Sequence, residues 1–352
     1  RVLQRFEHPA PAKPEYSPHA YTVPNYGAKQ QYATIDTTDP VGPSDKLRLQ
    51  EVLGCLLYYA RAIDNTMLPA IGTIAQQQSK PTTQSMKAIC QLLNYCHTNP
   101  EASIRYTPSD MVLHVESDAS YLSEPKARSR FAGFHYLSSK PATTPPKASD
   151  PSPPLNGAIN IPCKILREIV ASASEAELAG LYYNGREAVP ERLTLIELGH
   201  PQPPTPIVTD NAVASGIAND SVKQKRSKAM DMRYYWIRDR VRQKQFHIYW
   251  RQGKENRADY HTKHFPASHH QAARPSYLHI RSPQSSNYYS VLDDDASTPS
   301  ANRDGEGVLN PSPRKPCGLG YSAVNGGRPA RNAPTVIPLL GHCLTLVATG
   351  AA

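Results

Sequence analysis

The sequence lacks closely paired cysteines and lacks any long uninterrupted apolar run. Its six cysteines form no CxxC pair and have no histidine at zinc-finger spacing, which argues against a structural zinc site. The N-terminal stretch RVLQRFEHPAPAKP has no apolar centre and does not resemble a signal peptide. Pro338, Gly341 and His342 interrupt the late run TVIPLLGHCLTLVATG. We therefore expect reduced, mostly buried thiols and an intracellular protein, cytoplasmic or nuclear, without a membrane segment.

The sequence is also poor in apolar residues, whereas proline and positive charge are abundant. The 352 residues include 34 prolines, and the mean hydropathy is −0.54, which predicts a globular middle with loose ends. The formal net charge of +9 favours a polyanionic partner, although charge alone does not distinguish RNA from an acidic membrane. Because the sequence starts at Arg1 without a methionine, we also expect a fragment or a processed piece.

Composition and periodicity predict four regions. Residues 1–43 are rich in Pro, Tyr and Gln without a lasting period, which predicts an extended arm that lies on a partner or on a missing neighbouring region. Residues 44–109 carry apolar residues at helical spacing in three segments and form a predicted helical region. Residues 110–266 predict a mixed α/β domain. Residues 267–352 turn to Ser, Asn, Pro and Gly, which predicts a disordered or non-native tail.

The apolar period falls to two beyond Asn99 and Pro100. Strands are predicted at IRYTP, MVLHVES, RFAGFHYLSS and GAINIPCKI, and later at PIVTD and FHIYW. Helices are predicted between the later strands, including a long basic helix from about Gln224 to Lys244. Strands first and then strands alternating with helices are typical of a mixed sheet.

Acids occupy four places in this domain where predicted elements begin or end. Asp118 follows the strand in VESDASY, Glu175 and Glu177 lie in the first turn of a helix, Asp210 ends PIVTD, and Asp259 lies in the last helix. Each alone is explained more simply as a turn, a helix cap or a solvated residue. Gathered by a fold, however, they would repel one another unless protons or divalent cations neutralised them. Hard oxygen ligands select Mg²⁺ or Mn²⁺.

Five segments, in chain order, carry a family resemblance: SDASYLSEPKARSRFAGF, SASEAEL, VTDNAVASGIAND, KRSKAMDMRYYWIRD and NRADYHTKHFP. They resemble the successive motifs of the ribonuclease H domain in copia-type retrotransposon polyproteins, over about residues 110–266. Two upstream segments, LQEVLGCLLYYARAIDNTMLPAIGTIAQ and MKAICQLLNYCHTNPEASIRY, resemble the helical connection that joins the reverse transcriptase to that domain. The resemblance implies a ribonuclease H-like α/β fold, a mixed five-stranded sheet with flanking helices, preceded by a small helical connection region at 44–109.

Position by position, the resemblance implies catalytic and metal-ligand roles for Asp118, Glu177, Asp210 and Asp259. The glutamate requires a choice, because residues two apart on a helix point about 200° away from each other and cannot both face one metal pair. Glu177 lies nearer the face that packs on the sheet, and the run ELA that it opens fits the Glu-Leu-x-Ala pattern of the wider family. We therefore predict Glu177 and keep Glu175 in reserve.

A basic segment, KQKRSKAMDMRYYWIRDRVRQK, contains nine Lys or Arg against two Asp. A solvated helix face would explain this charge by itself. Beside the acids, four of its residues become predicted nucleic-acid contacts: Lys225, Arg226, Lys228 and Arg233. The sequence departs from the family at Ala229, where the family usually has histidine.

The resemblance also implies a reaction and partners. We expect hydrolysis of the RNA strand of RNA/DNA hybrids as part of a retrotransposon reverse transcriptase polyprotein, with two Mg²⁺ ions, or Mn²⁺, as cofactors. The expected partners are the hybrid and the missing polymerase portion, and no membrane. Two alternatives stay open: a catalytically inactive nucleic-acid-binding remnant of such a polyprotein, and another enzyme of the same fold, such as an integrase or exonuclease.

Overall fold

The computed structural model describes residues 1–23, 33–222 and 231–280. Within these residues, no helix is both long and apolar enough to cross a membrane. Two predictions fall partly outside them: the basic segment before Asp231 and the tail beyond residue 280.

The N-terminal arm packs on this chain's own helices. It begins with a short helix, α1 (Val2–Arg5), and residues 8–23 and 33–39 contain no further helix or strand. His8 Nε2 lies 2.7 Å from Asn94 Oδ1, and the Glu15 N–H donates to Thr98 Oγ1 at 2.8 Å. In its described residues the arm therefore contacts the chain's own helix α4, and its contact with a partner or a missing neighbouring region stays a prediction.

The helical region is built on three helices and a short turn: α2 (Pro43–Ala62), a 3₁₀ turn (Asn65–Met67), α3 (Leu68–Ala75) and α4 (Thr83–Thr98). The side chains of Thr82 and Ser85 cap the start of α4 reciprocally, which satisfies backbone N–H groups that no helix turn can bond. Apolar residues at helical spacing meet in one buried cluster that includes Leu49, Val52, Leu56, Ile71, Leu92 and Leu93. This cluster is the core of the region.

Six strands follow: β1 (Val112–Glu124), β2 (Arg128–Ser138), β3 (Ala158–Asn160), β4 (Cys163–Ile165), β5 (Thr205–Thr209) and β6 (Phe246–Trp250). Their order is β3-β2-β1-β5-β6, and β4 also pairs with β2. The β1–β2 pair is antiparallel, whereas β1–β5 and β5–β6 are parallel. The predicted α/β class with a mixed sheet is confirmed. The strand count is six and not five, because Ile161 and Pro162 separate β3 from β4, which both lie on β2.

Residues 104–108, predicted as the strand IRYTP, do not form one. The Asn156 side chain bonds both backbone groups of Thr107: its Oδ1 accepts from the N–H and its Nδ2 donates to the carbonyl, each at 2.9 Å. A residue whose N–H and C=O are both bonded to a side chain has none left for a strand ladder. The alternating pattern there was therefore a misleading signal.

Five helices accompany the sheet: α5 (Ala173–Glu197), α6 (Ala212–Ala218), α7 (Asp231–Arg242), α8 (Asp259–Thr262) and α9 (Ala267–Tyr277). A 3₁₀ turn (Gly253–Glu255) follows β6. Apolar residues of the central strands pack with residues of α5, α6 and α7 in one buried cluster that includes Leu113, Val115, Leu181, Ile207, Ala214 and Ile237. The sheet therefore presents a rigid frame on which loops and helix starts can be held.

Helix α9 lies where a disordered tail was predicted to begin. Arg274 on this helix is buried, its Nη2 lies 2.7 Å from Asp64 Oδ2, and its Nη1 donates to the Tyr95 hydroxyl at 2.7 Å. The prediction is wrong for residues 267–280, because a buried ion pair and not an apolar stripe attaches this polar helix to the helical region. Residues 281–352 lie outside the described part of the chain.

Candidate metal centre

Asp118 lies in the middle of β1, between the two kinds of pairing in the sheet. On one side it stands opposite Ala132 of the antiparallel strand β2. On the other side Glu116 stands opposite Val208 of the parallel strand β5, and two further residues along both strands bring Asp118 level with Asp210. The Asp118 side chain is only 2% exposed. The strand does not end at Asp118 as the sequence suggested, because its pairing with β2 continues beyond it.

Glu177 reaches the same place from α5. This helix lies so close to β1 that a Cβ added at Gly180 would be 3.4 Å from the Asp118 carbonyl oxygen. The close approach brings the buried Glu177 carboxylate to the strand. Its Oε1 accepts a hydrogen bond from the Ala119 N–H at 3.1 Å, and its Oε2 accepts one from the Thr209 hydroxyl at 3.2 Å.

Glu175, the residue held in reserve, contributes to the start of α5 instead. Its Oε2 accepts from the Ala171 N–H at 2.9 Å, and its own N–H donates to the Ser172 hydroxyl at 3.2 Å. Two residues along a helix point to nearly opposite sides, so Glu175 faces away from Glu177. The structure brings Glu177, and not Glu175, to Asp118.

Three acids from three different elements converge at this point. One carboxylate oxygen from each of Asp118, Glu177 and Asp210 lies within 4.8 Å of the other two. Asp210 directly follows β5, and its Oδ2 is so close to Gly253 that an added Cβ there would be 2.5 Å away. Only glycine allows this contact without a shift. The Trp250 Nε1–H donates to the Asp210 carbonyl oxygen at 2.8 Å and holds the loop in place.

Asp259 lies beside this group and not within it. Its side chain, on α8, is 30% exposed and forms an ion pair with Lys263 one turn later. Its charge still acts on the cluster, because it raises the pKa of both Asp118 and Asp210 in addition to the effect of burial. The structure thus brings three of the four predicted ligands together and places the fourth within electrostatic range.

Burial and like charge make these acids hard to ionise. Burial raises the pKa of Asp118 from its usual 3.8 to about 6, against the lowering effect of Lys263. Burial, followed by the charges of Asp118 and Asp210, raises the pKa of Glu177 well above its usual range. Burial also raises the pKa of Asp210. Such a cluster destabilises the fold unless protons or cations neutralise it.

Two residues that the sequence analysis did not single out attach the Asp259 segment to β1. The Asn256 Nδ2 donates to the Ser117 carbonyl oxygen at 2.8 Å. The Arg257 N–H and Nη1 both donate to the buried Glu116 carboxylate, at 2.6 and 3.1 Å. Both residues occur in the NRAD stretch that was interpreted only for its aspartate. The spacing of residues in a sequence does not predict a contact such as that of Asn256 with Ser117, which are 139 residues apart.

The donor set suits a hard divalent cation. All the converging atoms are carboxylate oxygens, the ligands that Mg²⁺ and Mn²⁺ prefer, and two of the three side chains are almost fully buried. Within the described residues, no Cys or His belongs to the group, so it does not offer the softer ligands typical of zinc. The arrangement can hold cations against a phosphate.

Sequence comparison relates the chain to a known retrotransposon protein. No protein-family model matches the chain. The chain is 25% identical over 266 residues to the "Retrovirus-related Pol polyprotein from transposon TNT 1-94" of Nicotiana tabacum, a match that covers 76% of this chain and 18% of that protein. The predicted resemblance to a copia-type retrotransposon polyprotein is confirmed. This chain spans less than a fifth of the length of that relative.

Two solved ribonuclease H structures also match the chain. One is the N-terminal RNase H domain of a Mycobacterium tuberculosis protein, with 12% identity and a TM-score of 0.29, over 47% of this chain and 97% of that one. The other is RNase H1 of the halophilic archaeon Halobacterium salinarum, with 12% identity and a TM-score of 0.22, over 52% of this chain and 98% of that one.

The predicted nucleic-acid contacts are described only in part. Lys225, Arg226 and Lys228 lie outside the described residues. Arg233, on α7, has its Nη1 2.7 Å from Glu168, and its guanidinium lies 5.7 Å from the centre of the Tyr182 ring. Its side chain is 24% exposed. Arg233 is therefore engaged within the chain, and its contact with phosphate stays a prediction.

Proposed function

We propose that this chain is a metal-dependent endonuclease that hydrolyses the RNA strand of RNA/DNA hybrids as part of a retrotransposon reverse transcriptase polyprotein. The observation that carries the proposal is the convergence of Asp118, Glu177 and Asp210 within 4.8 Å at the rim of a mixed sheet. Buried like charges oppose folding, so their gathering points to a binding or catalytic use. The similarity to a retrotransposon Pol polyprotein supports the choice of hybrid as substrate.

The four acids would share one role. Asp118, Glu177, Asp210 and Asp259 would together hold the cations. When bound, a pair of Mg²⁺ or Mn²⁺ ions supplies an activated water and charge stabilisation at the phosphodiester. The Thr209 hydroxyl keeps the Glu177 carboxylate in one orientation.

Substrate choice would depend on the 2′-hydroxyl, the group by which proteins distinguish RNA from DNA. The basic segment before and within α7 would contact backbone phosphates, which fix the register of a duplex without reading its sequence. The proposed function requires two partners, the hybrid and the polymerase portion of the polyprotein.

The test compares the wild-type chain with Asp118→Asn on a labelled RNA/DNA hybrid, with Mg²⁺, with Mn²⁺ and with a chelator. Asp45→Asn is the matched control, because Asp45 is an exposed aspartate in the first turn of α2. We expect Asp118→Asn to lower the cleavage rate by at least about a hundredfold, equivalent to roughly 3 kcal/mol of transition-state stabilisation. Hybrid binding should stay within about threefold of wild type, since a single ligand does not hold the duplex.

Unchanged cleavage by Asp118→Asn would show that the acids are not the catalytic centre. A wild-type chain that binds the hybrid and cuts it with neither cation would instead identify the inactive, nucleic-acid-binding remnant. Cleavage of double-stranded RNA or DNA at the same rate as the hybrid would contradict the proposed substrate.

A further inference from the structure

Lys263 is placed among the acids of the candidate metal centre. It follows α8 directly, and its ammonium forms an ion pair with Asp259 four residues earlier. Its charge also favours the ionised forms of Asp118 and Asp210. Burial lowers the pKa of Lys263, but these three carboxylates together raise it above its usual value. One lysine therefore interacts with three of the four predicted ligands.

The neighbouring Arg257 pairs with a different acid. Its Nη1 and its backbone N–H both donate to Glu116, which lies on β1 two residues before Asp118. Glu177, for its part, interacts with Asp118 and Asp210, which oppose its ionisation, and with the hydrogen-bond donors of Ala119 and Thr209. The charge of Lys263, by contrast, acts on both Asp118 and Asp210.

The Lys263 side chain is also partly exposed to solvent. It is 47% exposed, and a lysine is a compact charge on a flexible four-carbon stem. By contrast, the guanidinium of Arg130 in the nearby buried pair with Glu124 is fully enclosed. An exposed, rotatable ammonium can turn into solvent while the carboxylates stay in place.

An ammonium and a divalent cation require the same carboxylate charge. A cation bound at Asp118 and Asp259 would repel the Lys263 ammonium and would compete with it for these carboxylates. Cation binding would therefore be coupled to the loss of the lysine contacts, and the affinity would be lower than the acids alone would give. The same contacts relieve the repulsion among the acids when no divalent cation is bound.

We propose that Lys263 is a built-in counter-ion of the carboxylate cluster, which supports the cluster until divalent cations displace it and so sets the cation concentration that the site requires. This inference rests on the proposed function, because it assigns Lys263 a positioning role toward the cations of that site. It makes Lys263 a competitor of the cations and not one of the groups that hold them.

The test measures cation binding and thermal stability, not cleavage. Titration calorimetry with Mg²⁺ and with Mn²⁺ at one pH would compare wild type, Lys263→Met and Lys263→Arg, with Lys87→Met, an exposed lysine on α4, as the control. We expect Lys263→Met to bind the cations about five- to tenfold more tightly. Lys263→Arg, which keeps the charge, should restore an affinity near that of wild type, and Lys87→Met should match wild type.

Melting in the presence of a chelator gives an independent readout. Lys263→Met should lower the melting temperature of the wild-type background by a few degrees and should have a clearly smaller effect in an Asp259→Asn background. Equal cation affinity of Lys263→Met and wild type, or an equal melting shift in both backgrounds, would overturn the counter-ion role.

These outcomes are separable from those of the proposed function. A wild-type chain that binds Mg²⁺ but does not cut hybrids would defeat the nuclease proposal, while tighter binding by Lys263→Met would still support the counter-ion. A chain that cuts hybrids but whose Lys263→Met variant binds Mg²⁺ no more tightly than wild type would defeat the counter-ion alone.

Discussion

Asp64 in the helical region and Asp118 in the sheet are almost equally buried, at 1% and 2% exposure, but they have different neighbours. Asp64 accepts hydrogen bonds from the N–H and the hydroxyl of Thr66. It also pairs with Arg274, whose side chain is 6% exposed, so the cation is buried with its acid. The charge of Asp64 is thus balanced entirely within the fold.

Asp118 has the opposite surroundings. Its nearest charged groups include Glu177, Asp210 and Asp259, and the cation among them, Lys263, is 47% exposed. Burial alone therefore does not mark a functional acid in this protein. The sign of the neighbouring charge does, because a balanced pair stabilises the fold, whereas a cluster of acids weakens it until something external binds.

The largest expected effect comes from unbalancing the helical region. Arg274→Met leaves Asp64 buried without its cation and should lower the free energy of unfolding by about 3–5 kcal/mol. Urea unfolding followed by circular dichroism would measure this loss. Arg242→Met is the control, because Arg242 pairs with Asp220 at the surface, where both side chains are about half exposed or more, and should cost less than about 1 kcal/mol. Equal losses in the two variants would remove the distinction between a structural and a surface pair.

The buried Asp118, unlike Asp64, should weaken the fold when it is ionised, and the pH dependence of the free energy of unfolding should show this. In the folded protein without divalent cations, Asp118 keeps its proton up to a pH of about 6, whereas in the unfolded chain it releases the proton near its usual 3.8. The folded state therefore holds the extra proton between these values, and the free energy of unfolding falls as the pH rises through this window. The loss should be on the order of 2 kcal/mol.

Asp118→Asn should remove much of that slope and stabilise the chelated protein at neutral pH by a similar amount, on the order of 2 kcal/mol. Unfolding in urea at a series of pH values, with a chelator present, would measure both effects. Saturating Mg²⁺ should reverse the order of the two proteins, because only wild type gains binding energy. A slope that persists unchanged in Asp118→Asn would mean that this carboxyl is not the shifted group.

The last comparison concerns the two glutamates of α5, and Glu175 should give the smallest effect of all. Glu175→Gln should leave hybrid cleavage within about twofold of wild type and lower stability by roughly 0.5 kcal/mol, because a charge near a helix start is lost. Glu177→Gln should reduce cleavage by at least about a hundredfold, since an amide is a poorer ligand than a carboxylate. Cleavage assays on both variants would reveal a wrong choice if their effects were exchanged.

Local periodicity accounts for the parts of the fold that could be predicted. Helices α2 and α4 follow from apolar residues at helical spacing, and β1 and β5 from alternating or continuous apolar runs that end near acids. Helix geometry showed that Glu175 and Glu177 could not both face one metal pair, and the apolar neighbours of Glu177 together with the family pattern selected it. The converging acids were named from the family resemblance, although Asp118 lies in the middle of β1 and not at its end.

What could not be predicted depends on contacts between distant residues. Helix α9 is polar and is attached by Arg274 to a residue 210 positions earlier, so nothing in its own composition distinguishes it from a tail. Asn256 likewise gains its importance only from its hydrogen bond to Ser117 on β1. The wrongly predicted strand at residues 104–108 also depends on a distant residue. The side chain of Asn156 bonds the backbone N–H and carbonyl of Thr107.

The distance between Asp64 and Arg274 along the sequence, 210 residues, also has a consequence in time. A ribosome that adds roughly 5 to 20 residues per second produces Arg274 about 10 to 40 s after Asp64. During that interval the helical region has been made but its buried acid has no cation. The helical region is therefore completed only after the sheet has been made, and until then the nascent chain keeps an unpaired acid within it.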